Sequence, residues 1–343
     1  MKIIPSLVMA ASFLSAHTCP ASPMNFHKDA MSGRTMNATQ AAELETALEA
    51  KPDDLSSRTK LLGYYFGKGR GPGKALNNRR KHVLWVIKNH PGSELAALPY
   101  CDMDGVFDPE GYVEAKKLWL EQTEAHPQDP KVLGHAAAFF QISDTDLAEG
   151  FLKRAQKAEP ENPTWSDNLG QLYSMAGDKE SALKSLAEYE KAQASDREQM
   201  SKTYRLDNLA KAAIKAEDLE KATRYAKEAL DGAERFPKDW NHGNAIHHGN
   251  NVLGLVALKQ GDLKSAAEHL LKAGKTPGSP QLDSFGPNMS LAKALLEKGG
   301  KDVVLEYLEL CRKFWKMGGD RLDRWTKDVK AGNEPDFGGN LSY

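Results

Sequence analysis

The sequence predicts an all-α fold: a solenoid of about seven stacked helix hairpins, from about residue 38 to 317, closed by a C-terminal capping helix. Three observations predict it. The segments beginning at Leu169, Leu209, Leu253 and Leu291 agree with one another at fixed offsets. Each carries a break at the same place: Gly177-Asp178, Glu217-Asp218, Gly261-Asp262 and Gly299-Gly300. Small or apolar residues recur one, thirteen and seventeen positions after each leucine: Gly170, Ala182 and Leu186; Ala210, Ala222 and Ala226; Gly254, Ala266 and Leu270; Ala292, Val304 and Leu308.

The offsets describe a hairpin. A first helix ends at the break, where glycine tolerates a left-handed backbone. A second helix begins at once, with Asp178, Asp218 or Asp262 placed to accept from its free N–H groups. Small residues let the paired helices approach, and larger apolar ones face the next hairpin. One hairpin cannot bury its own stripe, so several must stack.

Taken from the start of the chain, Met1-Lys2, an apolar run to Ala16 and small residues at its end have the layout of a secretory signal peptide over 1–16. The run is too short to span a bilayer, and no later stretch is long and apolar enough. The mature protein is therefore expected outside the cytoplasm, periplasmic or secreted. His17 and Thr18 precede Cys19 where a lipid-attachment signal wants small residues, so lipidation is not the preferred reading. Residues 17–37 show no apolar period and read as a flexible linker. Residues 38–160 and 161–317 hold the N- and C-terminal repeats. In the last segment, 318–343, Leu322, Trp325 and Val329 form one apolar face of a capping helix before an irregular tail from Gly332. Two connections, Asp231 to Asn244 and Gly274 to Gly286, are longer than the rest and read as surface loops.

At these residues the chain resembles the tetratricopeptide repeat family. The best match is Trp165, Leu169, Gly170, Tyr173, Gly177-Asp178, Ala182 and Leu186, with Tyr189 where the family has a small residue and no closing proline. Pro52, Pro91, Pro127 and Pro160 punctuate the N-terminal half, and Leu62-Gly63 through Gly73 to Trp85 resembles a Sel1-like repeat. The resemblance implies a right-handed superhelix that binds a protein or peptide in the concave groove lined by first helices, without catalysis or cofactor. By register the groove positions are Asp167, Gln171, Tyr204, Asp207, Lys211, His248 and Asn251. The family's carboxylate-clamp subclass holds peptide C-termini with basic residues and Asn there, and acidic Asp167 and Asp207 argue against that subclass. An extended polypeptide or a sugar chain suits these groups.

Composition limits the other classes. The chain has 343 residues, 46 Lys and Arg against 47 Asp and Glu, and a net charge of -1. That excludes coating of nucleic acid by bulk charge, and an exported chain is not expected to meet nucleic acid. Three cysteines cannot staple a small domain, and Cys101 and Cys311 lie too far apart in a stacked array to pair. No nucleophile-and-base constellation stands out, so no catalytic residue is assigned.

Between Leu55 and Ser93 lie nine Lys and Arg residues, among them Lys68, Arg70, Lys74, Arg79, Arg80 and Lys81, and no acid. One reading is a patch for an anionic partner, such as an acidic protein or the envelope surface. The other is a face paired with the acid-rich stretch 102–129. Within that stretch, Asp102 to Glu110 lacks the spacing of a calcium loop. The segment from Asp239 to Asn251 holds His242, His247 and His248 among amides. It reads as a polar loop, with ligand contact and a metal or enzymatic site as alternatives; adjacent His247 and His248 point apart on a helix and share one ion poorly. The triplets at Asn37, Asn288 and Asn340 match the glycosylation acceptor.

Overall fold

The computed structural model describes residues 25–68 and 73–341. The proposed signal peptide, Cys19 and Arg70 lie outside them. The described residues form 17 α-helices, and neighbouring helices pack in sequence order. The chain divides into two compact units, Met1–Ala125 and His126–Tyr343. The division falls at Ala125/His126, one hairpin earlier than the expected boundary at 160.

Unit 1 contains α1 (Phe26–Arg34), α2 (Ala38–Ala50), α3 (Leu55–Phe66), α4 (Lys74–Asn89) and α5 (Pro109–Ala125). Helix α1 occupies part of the expected linker. Its inward residues are Ala30 and Gly33, too small to show as an apolar period. It crosses α3 with backbone on backbone: a Cβ on Gly33 would overlap the carbonyl of Lys60, and one on Gly63 the carbonyl of Ala30. Asn37 starts α2 with a reciprocal cap, accepting from Gln40 N while Gln40 Oε1 accepts from Asn37 N, both at 2.9 Å. Leu61, Tyr64 and Tyr65 of α3 meet Ala41 and Leu48 of α2 in a small apolar core.

Beside that core runs a buried polar relay. Arg58, 3% exposed, lies flat over Trp85 with 3.5 Å to the ring centre. Its NH2 donates to Pro52 O at 2.6 Å, and its NH1 to His82 Nδ1 at 3.0 Å. A guanidinium can only donate. Nδ1 therefore accepts, and Nε2–H donates to Glu45 Oε1 at 2.9 Å. Tyr65 donates to the same oxygen at 2.8 Å. Burial pushes the Glu45 pKa up, but the His82 and Tyr65 hydrogen bonds and the charge of Lys81 outweigh it and hold it at about 2. Burial takes Arg58 down to about 10.

Unit 2 repeats one motif. Its hairpins are α6/α7 (Pro130–Phe140, Thr145–Ala158), α8/α9 (Pro163–Ser174, Lys179–Ser195), α10/α11 (Gln199–Lys215, Leu219–Arg235) and α12/α13 (His242–Lys259, Leu263–Gly274). After a short α14 (Pro280–Phe285) come α15/α16 (Ser290–Leu296, Lys301–Cys311) and α17 (Arg321–Ala331). At the break position, Gly177, Glu217, Gly261 and Gly299 all have positive φ, at 80°, 64°, 84° and 83°. Asp178, Asp218 and Asp262 then each accept from the backbone N–H three residues on, at 2.8 to 3.0 Å. Each such cap contributes about 1 kcal/mol. The residues thirteen and seventeen after the aligned leucines are all buried. Tyr189 fits because Gly170 has no side chain: a Cβ there would lie 2.8 Å from the ring.

Two loop expectations change. Helix α11 runs on to Arg235 and α12 begins at His242, while the second long connection contains α14. Helix α17 packs on α16 and buries Leu322, Trp325 and Val329. The tail is irregular but pinned. Phe337 is buried, and Trp325 Nε1 donates to Asp336 O at 2.8 Å. Asn340 Nδ2 donates to Phe285 O and Pro287 O at 3.0 and 2.9 Å. Both amide protons of Asn340 are thus engaged, and Asn288 is buried, so neither matches an open glycosylation site. Cys101 and Cys311 are free, buried thiols in separate units, with pKa values raised by burial. No helix of the described residues is long and apolar enough to cross a membrane.

Candidate functional site

Helices α8, α10 and α12 are the first members of consecutive hairpins. The shared register turns the same face of each toward one open cavity of about 930 Å³. All seven groove residues expected from the sequence line it: Asp167 and Gln171 from α8, Tyr204, Asp207 and Lys211 from α10, His248 and Asn251 from α12. Asp167, Asp207 and Asn251 each stand two places before an aligned leucine, and Tyr204 and His248 each stand five before one. The lining follows the whole of α10, from Ser201 to Lys215.

Their roles differ from a row of free contacts. Asp167 is held by Arg205, which sequence reasoning missed. Arg205 is 6% exposed. Its Nε and NH2 donate to the two Asp167 oxygens at 2.6 and 2.7 Å, NH2 also to Asp196 at 2.8 Å, and NH1 to Gln193 at 3.1 Å. Burial pulls the Arg205 pKa down, but these carboxylates more than restore it. The arginine ties α8, the end of α9 and α10 together behind the groove. Its only sequence signal is that a charged residue sits on the inward face of α10, one place before the apolar Leu206. Asp207 pairs with Lys211 at 2.9 Å. The acids that seemed to make the groove negative are therefore compensated within it.

Helix α12 forms the polar floor. The stretch from His242 is helix, not the expected loop, and His247, His248, Asn250 and Asn251 are buried. The reason lies in the long connection 274–289, which rests on α12 and offers it irregular backbone. Thr276 Oγ1 donates to Gly243 O at 2.7 Å, and Asn244 Nδ2 donates to Gln281 Oε1 at 2.8 Å. His247 Nδ1 lies 3.1 Å from Ala273 O, so it carries the proton. Nε2 then accepts from Asn288 N at 3.0 Å and from Asn251 Nδ2 at 3.2 Å. Burial, with the charges of His248 and Lys211 adding to it, takes the His247 pKa down to about 3. Burial also holds His248 well below its ordinary value. His242 turns away to Ala233 O at 2.9 Å. Among the described residues, no three His, Cys, Asp or Glu side chains are grouped to hold a metal ion.

At one end of the groove, Tyr204 donates to Asp239 Oδ2 at 2.9 Å and packs against Trp240, with 5.3 Å between ring centres. Trp240 is 54% exposed. At the other end stand Lys215 and Lys259, each six places after an aligned leucine. Lys259 reaches Glu217 at 3.5 Å. The Lys215 pKa is lowered by burial of part of the side chain and by the charge of Lys211, with no carboxylate to oppose them among the described residues.

In the basic stretch of unit 1, the arginines Arg79 and Arg80 are engaged within the unit. Arg80 pairs with Asp108 and, at 3.0 Å, with Glu110. Arg79 donates to Tyr100 O at 3.1 Å and to Asp102 O. Lys81 lies 3.8 Å from Glu45, and Lys68 lies over the Tyr64 ring at 4.8 Å. Lys74 is exposed. The acids of 102–110 and the turn carbonyls hold the arginines because those segments fold onto α4. No family model matches the chain, and no curated protein matches it.

Proposed function

We propose that the protein is an exported, non-catalytic scaffold of the tetratricopeptide type, its hairpins wound in the right-handed sense of that family, which holds an extended polypeptide in the groove of α8, α10 and α12. One observation carries this reading: three consecutive first helices bring polar side chains from equal register positions to one cavity. Binding groups fixed on packed helices lose little ordering entropy when a partner arrives. Tyrosine, amide and hydroxyl groups beside compensated charges suit a backbone that both donates and accepts.

The test uses residues that line the groove without holding the fold. Asp167 and His248 are unsuitable, because one anchors Arg205 and the other is buried. Gln171 and Asn208 are exposed, and Tyr204 is half-buried. A peptide array probed with the mature protein should reveal bound sequences. The double variant Gln171→Ala, Asn208→Ala should lose them by at least about tenfold while unfolding at an unchanged temperature. Undiminished binding by that variant would refute the groove.

A further inference from the structure

Three features of the groove, each with a different chemistry, lie in a fixed order along α10. Tyr204, in its second turn, lines the cavity and packs against the exposed Trp240, which together give an aromatic surface. Asn251 stands in the middle, level with Asp207 in the repeat register. It is 3% exposed, and its Nδ2 donates to His247 O at 2.9 Å and to His247 Nε2. Its Oδ1 has no hydrogen-bond partner among the described residues, although Asn251 lines the cavity. A buried acceptor left without a donor is destabilising, and a ligand N–H relieves it. Lys215 stands at the far end. Of the acids that line the groove, Asp167 is held by Arg205, Asp207 by Lys211, and Glu217 by Lys179 and Lys259. Asp178 caps α9. Among the described residues, Lys215 is thus the groove cation that no carboxylate pairs.

Resting on the groove reading above, we propose that the occupant is an acidic peptide segment running along α10. An aromatic or proline side chain lies on Tyr204 and Trp240, a backbone N–H donates to Asn251 Oδ1, and an internal Asp or Glu side chain meets Lys215. Spacing follows from geometry. Tyr204 and Lys215 are eleven residues apart on one face of α10, about 16 Å at the rise of an α-helix. An extended peptide covers that distance in about five residues. Side chains of an extended strand alternate faces, so the motif is an aromatic residue or proline followed by an acid four or six positions on. Interior carboxylates, not the chain end, supply the charge.

The probes are fluorescein-labelled synthetic peptides, amidated at the C-terminus, each with one Trp and one Glu separated by three to eight positions, read by fluorescence anisotropy on the full mature protein. Affinity should peak at a separation of four or six, and Glu→Gln at that position should weaken it about fivefold. Lys215→Glu should abolish the preference for Glu, and a peptide with Lys in place of Glu should regain affinity for that variant. Lys215 is partly exposed and makes no ion pair among the described residues, so the variant should unfold at the temperature of the parent, as a thermal melt checks. Equal binding of Glu and Gln peptides, still lost on Tyr204→Ala, overturns the acidic specificity and leaves the groove reading standing. Binding only by peptides with a free C-terminus overturns it in favour of chain-end recognition. Binding of a neutral glucan oligosaccharide, with no peptide of the series bound, overturns both readings.

Discussion

The two units solve the same packing problem by different means. Unit 2 repeats a hairpin whose turn, cap and small residues recur at equal offsets, so each interface resembles the next. Unit 1 is assembled once. Its α1/α3 crossing needs two glycines with bare backbone between them, and its interior carries the Arg58–His82–Glu45–Tyr65 relay beside its apolar residues. A repeated interface spreads its stability over many similar contacts. A single irregular one concentrates it in a few groups whose loss leaves buried partners unsatisfied.

That contrast can be broken by substitution. Gly63→Val should have the largest effect, unfolding unit 1 at a cost of about 4 kcal/mol or more, because its side chain must displace the Ala30 backbone. Gly150→Ala on α7 of unit 2, where a Cβ meets nothing within 4 Å, should stabilise by about 0.5–1 kcal/mol. Urea unfolding of both variants measures the difference; equal costs would mean the crossing is not the keystone of unit 1. Arg58→Ala comes next, at about 3 kcal/mol, since it removes the packing on Trp85 and the donor to His82 together.

Acid should separate the units without mutation. His247 has its pKa lowered from 6.5 to about 3, so unfolded chains take up a proton that the folded unit 2 refuses. The stability this group contributes is full above pH 6.5 and is lost as pH falls toward 3, at about 1.4 kcal/mol per pH unit, with His248 acting in the same direction. In unit 1, Glu45 falls from 4.5 to about 2, so its contribution is full above pH 4.5 and is lost only below that. Denaturation monitored between pH 7.5 and 5 should therefore weaken unit 2 first. The smallest effect expected is at Glu217, a non-glycine with φ of 64° where two of its three counterparts in other hairpins have Gly preceding Asp. Glu217→Gly should raise the unfolding free energy by about 0.5 kcal/mol, relief of backbone strain exceeding two exposed ion pairs.

The chain by itself determined the hairpins of unit 2, because left-handed turns, Asp caps and small contact residues are local requirements that only a few residue types meet. It also placed the groove, since equal register puts Asp167, Asp207 and Asn251 on equivalent faces. Tertiary structure alone decided what those residues do. Asp167 became an anchor because Arg205 lies buried behind it, and the His247 segment became a helical floor because a distant connection needed hydrogen bonds. Helix α1 was illegible for a related reason: its contact surface is Ala30 and Gly33, and an interface made of missing side chains leaves no apolar period to read. Local rules are written in neighbouring residues, whereas pairing of charges and backbone close approach depend on which remote segments meet.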